Sequence, residues 1–256
     1  MTTAPSAKHG SVDQVLTQIL SASGILRRVE PEVASALIKQ LHASEFNSGE
    51  TIFAQGDPGD RVYIIVAGKV KISLRGPVDR ENLRAVMGPA DVFGELAVFD
   101  PGPRTCTATA ITDVRAVWVD RATLRAWIAY RPVIAEQLLQ SLTQRLQHTE
   151  DQLVELVSSD VAARVARQLL LLARCFGTRE GDALRVTHEL SQDEMAQLVG
   201  ADRVSVNKAL RHFTARGWIL LQGKSVLIVD PDGLASRAAA GAKSGVYRRR
   251  PLRATA

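Results

Sequence analysis

The sequence predicts an α+β chain in three parts: a jelly-roll-like β domain with flanking helices, one long helix suited to dimerisation, and a winged helix-turn-helix. Three observations predict it. Gly49, Gly56, Gly59, Gly68, Gly76, Gly88, Gly94 and Gly102 punctuate short β-rich runs between Glu45 and Val119, the texture of an antiparallel sandwich or roll. From Pro132 to Val157 apolar residues recur at three- and four-residue steps. Between Leu190 and Val229 two capped helical stretches precede a short hairpin, which is what a winged helix-turn-helix requires.

A length of 256 residues suits two cores rather than one. With 46% hydrophobic and 23% charged residues the chain is globular rather than disordered or fibrous. No apolar run approaches the roughly 18 residues of a membrane span, and Met1 to Gly10 lacks the apolar centre of a secretory signal. A cytoplasmic protein without membrane contact is expected. Cys106 and Cys175 are the only thiols, which excludes a disulfide framework or a Cys-rich metal site.

The net charge is +5, and its placement says more than its sum. Arg237, Lys243, Arg248, Arg249, Arg250 and Arg253 lie in a tail with no acid, so removing these six positive charges leaves −1 elsewhere. Arg203, Lys208, Arg211, Arg216 and Lys224 form a second acid-free stretch. Such a stretch is a candidate phosphate-facing surface, although a solvated basic face has the same composition.

In chain order, residues 1–10 are small and polar and read as a flexible N-terminus. Residues 11–130 hold the β domain and its helices. Leu16, Ile19 and Leu20, then Val33, Leu37, Ile38 and Leu41, carry a helical period before it. Runs such as Val62 to Val66 and Val70 to Ile72 supply strands, and helical spacing returns from Arg121 to Ala129. Residues 131–158 form the dimerisation helix, which Pro132 opens because its missing N–H is not needed in a first turn. A helix of about 26 residues is roughly 39 Å long. Its seam reads Leu138, Leu142, Leu146, Thr149, Leu153 and Leu156, suited to a second copy of the chain, with a single-chain core helix as the alternative. Thr149 is polar within that seam, and its hydroxyl serves either a ligand or its own helix.

Residues 159–235 form the winged domain and 236–256 the basic tail. Ser158, Ser159 and Asp160 interrupt the helical pattern and cap a helix from Val161 to Cys175. Ser191 and Glu194 form a capping box for a short helix whose buried face is Met195, Ala196, Leu198 and Val199, and Gly200 ends it. Asp202 caps a second helix from Arg203 to Ala215, with Val206, Leu210 and Phe213 buried. Arg203 and Lys208 suit guanine O6 and N7, and Asn207 suits adenine. Trp218 to Leu221 and Ser225 to Val229 flank Gln222, Gly223 and Lys224 as a wing that brings Lys224 near a phosphate. Ser191, Gln192, Arg203, Val204, Ser205, Asn207, Lys208, Arg211 and Lys224 are the candidate contacts to double-stranded DNA.

Phe93-Gly94-Glu95-Leu96, Asp100 to Thr105, Gln197 to Gly200 and Val206 to Leu210 resemble the cyclic-AMP receptor protein and FNR family of transcription regulators, in particular its actinobacterial branch. The similarity covers about Val12 to Ala235. It implies an N-terminal cyclic-nucleotide-binding roll, a homodimer, and RNA polymerase as a further partner. It also implies that Gly94, Glu95, Leu96, Arg104, Thr105, Arg145, Thr149 and Glu150 bind the effector, cyclic AMP or another cyclic nucleotide. Glu95 would bond the ribose, Arg104 the cyclic phosphate, and Thr105 would donate its hydroxyl. Without the resemblance, Glu95 and Arg104 read as an internal ion pair.

Two residues depart from the family pattern. Glu150 stands where Asn or Ser is common, and a carboxylate cannot donate to an adenine ring nitrogen. Val204 stands where a Glu usually accepts from cytosine N4, and it suits a thymine methyl instead. The alternatives are a regulator of the same fold that uses another effector or none, and a nucleotide-binding module that acts on a protein. The five His show neither metal-ligand spacing nor a paired nucleophile. No enzyme, metal or cofactor is therefore expected, and Cys106 reads as a small buried residue.

Overall fold

The computed structural model describes residues 28–76, 81–100 and 102–240, together with Ile19, Ser23, Ile25 and Leu26. The expected flexible N-terminus, most of the first helical stretch and residues 241–256 of the basic tail lie outside the described residues.

A helix α1 (Pro31–Ile38) leads into eight strands: β1 (His42–Phe46), β2 (Thr51–Phe53), β3 (Arg61–Ala67), β4 (Val70–Arg75), β5 (Glu81–Met87), β6 (Val92–Phe93), β7 (Thr107–Ala110) and β8 (Val114–Asp120). They form two antiparallel sheets, β1-β8-β3-β6 and β2-β7-β4-β5. Strand β3 shows why the run from Val62 to Ile65 is continuously apolar. Tyr63 and Ile65 pack between the sheets with Phe53, Met87 and Phe93. Val62 and Ile64 point the other way, onto Leu124, Trp127, Ile134 and Leu138 of the following helices. Both faces are buried, so the period of two carries no polar alternation.

After the short α2 (Leu96–Phe99), α3 (Arg121–Tyr130) and α4 (Val133–Ser158) close the roll. Asp120 caps α3 by accepting from the Thr123 N–H at 2.8 Å. On α4 the expected seam is shifted at its start. Leu138 is 2% exposed and belongs to the core of the roll, whereas Leu139, Leu146 and Leu153 are about 60% exposed and Val157 90%. The open apolar stripe therefore begins at Leu139, because the preceding turn of α4 faces the roll.

The winged domain comprises α5 (Val161–Phe176), β9 (Gly177–Glu180), β10 (Ala183–Thr187), α6 (Gln192–Val199), α7 (Arg203–Ala215), β11 (Ile219–Gln222), β12 (Ser225–Ile228) and α8 (Pro231–Ala240). The expected caps are present: Asp160 on α5, the Ser191–Glu194 box on α6 and Asp202 on α7. Gly200 ends α6 at φ 65°, ψ 46°, and a Cβ there would meet Leu156 at 2.6 Å. One core gathers Leu169, Val199, Val206, Phe213, Ile219, Ile228 and Leu234.

Two features go beyond the sequence expectation. The wing is half of a four-stranded sheet, β11-β12-β10-β9. Helix α8 carries Leu234 and Ala238 into the core and runs past the expected boundary at residue 235. Arg237, assigned to the tail, instead donates to both Asp160 carboxylate oxygens at 2.7 and 2.8 Å.

The roll rests directly on the winged domain. Leu83 of β5 joins the winged-domain core, and its N–H donates to Gln197 Oε1 at 2.9 Å. Lys71 pairs with Glu194 at 2.8 Å, and Lys69 Nζ donates to the Thr187 carbonyl at 2.6 Å. The β4–β5 ribbon thus abuts the first helix of the helix-turn-helix.

Candidate effector cradle and nucleic-acid interface

The cradle is built where β6 turns into α2. Gly94 has φ +79°, and a Cβ there would lie 2.8 Å from Arg104 Nη1 and 3.0 Å from the Arg61 carbonyl oxygen. Glycine lets the backbone approach the guanidinium. Arg104 is 5% exposed. Its Nη1 donates to the Gly94 carbonyl at 3.0 Å and its Nη2 to the Arg61 carbonyl at 2.9 Å. Its guanidinium carbon stacks 4.2 Å from the Phe53 ring centroid. Burial pushes this guanidinium below its ordinary pKa, with Tyr63, Asp60, Cys106 and Asp57 opposing the shift. Nε makes no hydrogen bond.

The internal ion pair between Glu95 and Arg104, the alternative to effector binding, is not formed. Glu95, 6% exposed, accepts from Arg145 Nη1 at 2.7 Å, and Arg145 Nη2 also donates to the Val92 carbonyl. Arg145 thereby ties α4 to the cradle and leaves Arg104 without a carboxylate partner among the described residues. Among the described residues the Arg104 hydrogen bonds go only to neutral carbonyls, and a buried cation so held favours an anionic partner.

A cleft of about 620 Å³ separates α4 from β5 and β6, and Arg145 and Thr149 line it. Gly94, Glu95, Leu96, Arg104, Thr105 and Glu150 do not. Thr149 Oγ1 donates to the Arg145 carbonyl at 2.9 Å, so its hydroxyl serves its own helix here. Leu96, Thr105 and Glu150 are exposed. Burial first, and then the Glu95 carboxylate, push the Cys106 thiol up, in keeping with a packed rather than reactive residue.

In the helix-turn-helix, the Ser191 hydroxyl accepts from the Glu194 N–H at 3.2 Å, and Glu194 Oε2 accepts from the Ser191 N–H at 2.9 Å. Arg203, Val204, Lys208 and Arg211 are exposed on α7, Ser205 and Asn207 are half-buried, and Lys224 is exposed at the wing tip. Gln192 Oε1 accepts from Arg203 Nε at 3.2 Å and from Asn207 Nδ2 at 2.9 Å. Arg203 Nη1 reaches Asp193 at 3.4 Å. Beneath the wing, the Lys224 carbonyl accepts from the His188 and Glu189 N–H groups. His188 Nδ1 accepts from the Leu190 N–H at 3.0 Å, and burial holds its imidazole below the usual value.

Sequence reasoning missed Lys71, Lys69, Leu83 and Gln197, which join the two domains. Their partners lie more than a hundred residues away in sequence, and no local pattern marks them.

Known proteins share both parts of the chain. The Cyclic nucleotide-binding domain family matches residues 43–131, and the Crp-like helix-turn-helix domain family matches residues 163–237. The chain is 59% identical over 223 residues to the CRP-like cAMP-activated global transcriptional regulator of Mycobacterium tuberculosis, covering 87% of this chain and 100% of that protein. A solved CRP/FNR-family transcriptional regulator from Thermus thermophilus superimposes with a TM-score of 0.66 at 25% identity, over 78% of this chain and 100% of that one. FixK2 from Bradyrhizobium japonicum shares the fold with a TM-score of 0.69 at 24% identity, over 79% and 99%. With both domain types in sequence and full-length similarity to a known member, the chain belongs to the cyclic-AMP receptor protein and FNR family of DNA-binding transcription regulators.

Proposed function

We propose that this regulator acts as a homodimer, takes cyclic AMP as its effector in the cradle from Gly94 to Thr105, and reads operator DNA with α7. The observation that carries the effector assignment is the buried Arg104 guanidinium, which has no carboxylate bonded to it among the described residues while Arg145 occupies Glu95. A cyclic phosphate supplies one negative charge and acceptor oxygens for that cation. Glu95, beside it, accepts from a ribose hydroxyl, and Thr105 donates from the rim.

Homodimerisation accounts for the stripe Leu139, Leu146, Leu153 and Val157, which one protomer leaves open. Pairing α4 with its copy brings Thr149 and Glu150 close to the second subunit. The effector then biases the arrangement of the two long helices. The contacts of Lys71 and Leu83 with α6 give the roll a second route to the reading helix. RNA polymerase is the proposed protein partner.

Arg203 and Lys208 supply base contacts, Arg211 and Lys224 phosphate contacts, and Val204 a contact to a thymine methyl. The test is Arg203→Ala on an operator selected from random DNA with the wild-type protein. Loss of one bidentate base contact costs about 1–3 kcal/mol on the selected site and little on random DNA. Equal losses on both would refute the role. Glu150 favours a second reading, a regulator of this fold tuned to another cyclic nucleotide, because its carboxylate repels an anionic ligand and accepts where the family's usual residue also donates.

A further inference from the structure

We propose that Gln192 is a positioning residue for base recognition, which orients Arg203 and Asn207 rather than contacting a phosphate itself. The proposal rests on the reading of Arg203 as a base contact. Gln192 is the first residue of α6, and the Ser191–Glu194 box fixes the backbone on either side of it. Its carboxamide therefore projects over the start of α7. There Oε1 accepts from Arg203 Nε at 3.2 Å and from Asn207 Nδ2 at 2.9 Å. Arg203 and Asn207 are four residues apart, so they share one face of α7. A single acceptor on a different helix thus holds two side chains of the reading surface.

The chemistry that follows is specific. An arginine loses much rotamer freedom when it docks on a base, and holding it beforehand removes part of that cost. Fixing Nε against Gln192 leaves the edge bearing Nη1 and Nη2 to face guanine O6 and N7 as a pair. The contact of Nη1 with Asp193, at 3.4 Å between half-exposed groups, is weak enough to give way to DNA. For Asn207 the adenine contact stays open. Its Nδ2 gives one hydrogen to Gln192 Oε1, which leaves the second hydrogen and Oδ1 to meet adenine N7 and N6, and Oδ1 alone to accept from cytosine N4. Asn207 thereby presents, one turn along the helix, the kind of acceptor that Val204 lacks.

A phosphate-contacting Gln192 behaves differently. Its removal weakens binding to all DNA alike and leaves discrimination intact. The experiment measures affinity of the full-length protein for the selected operator and for random DNA at several salt concentrations. Gln192→Ala is expected to lower the ratio of specific to random affinity about tenfold, the scale of one charge-assisted hydrogen bond. The salt slope and melting temperature should stay unchanged, since the α6 cap remains. Gln192→Glu keeps the acceptor and should hold the ratio within about threefold of wild type while weakening both affinities through its added charge. In an Arg203→Ala background the effect of Gln192→Ala on the ratio should largely vanish.

An equal loss on both DNAs, or an unchanged ratio, would overturn the positioning role. If Arg203→Ala lowers the ratio and Gln192→Ala does not, the proposal fails alone. If Arg203→Ala leaves the ratio intact, the base-contact reading fails and the proposal falls with it.

Discussion

Gly94→Ala separates the two jobs of the cradle glycine. At φ +79° an L-residue costs about 1–2 kcal/mol in backbone strain. The added methyl also falls 2.8 Å from Arg104 Nη1 and 3.0 Å from the Arg61 carbonyl oxygen. That carbonyl belongs to a strand and cannot retreat, so the guanidinium moves. Losing one hydrogen bond of a buried cation adds about 1.5–3 kcal/mol, and the sum is about 2.5–5 kcal/mol. Gly49→Ala is the control: its φ is +86° and nothing lies within 4 Å of the new Cβ, so only the strain of about 1–2 kcal/mol remains. Urea denaturation measures both costs, and calorimetry measures cyclic-AMP affinity. Gly49→Ala should bind as wild type, whereas Gly94→Ala should bind at least about tenfold more weakly, because Arg104 no longer faces the phosphate. Wild-type affinity in Gly94→Ala would refute the cradle.

Three further outcomes are expected. Leu146→Glu places a charge in the open stripe of α4 and should weaken the dimer at least about a hundredfold in sedimentation velocity without loss of helicity; a dimer of unchanged stability would mean that another surface carries the association. Glu150→Asn removes a carboxylate near the proposed ligand and should tighten cyclic-AMP binding about threefold to tenfold by calorimetry, with unchanged affinity arguing that Glu150 faces away from the ligand. His188 is held below the ordinary imidazole value of 6.5, by burial first. The unfolded chain then takes up its proton at a higher pH than the folded one. The stability from neutral His188 is therefore present above about pH 6.5 and is lost as pH falls from there towards the folded pKa. Melting curves of wild type and His188→Asn should differ in slope across that window; parallel curves would show that another group governs it.

Local chemistry is the most legible part of the sequence. Ser191 with Glu194, Asp202 and Asp160 each announce a helix start through hydrogen bonds that close within three residues. The glycines of the roll mark turns for a similarly local reason. The β9–β10 hairpin is harder to read, because its four- and five-residue strands gain their place from β12 rather than from a strong pattern of their own. Helix α8 carries only two buried residues, Leu234 and Ala238. Leu138 and Leu139 are equally apolar neighbours, and only the docking of α4 on the roll decides which is core. At the cradle, Glu95, Arg104 and Arg145 are all legible as site residues, but their pairing is not. Choosing between two arginines for one carboxylate is a matter of distance in three dimensions. The same holds for Gln192, whose two partners lie 11 and 15 residues away on another helix.

The central claim is that a cyclic nucleotide in the roll controls a DNA-reading helix in the winged domain. Its most direct test is the affinity of the full-length protein for its selected operator, with and without cyclic AMP, at about 50 and 200 mM salt. Cyclic AMP should tighten operator binding by about fivefold or more, and affinity should fall steeply with salt in both states. Operator binding that ignores cyclic AMP, or that does not weaken with salt, would contradict the account.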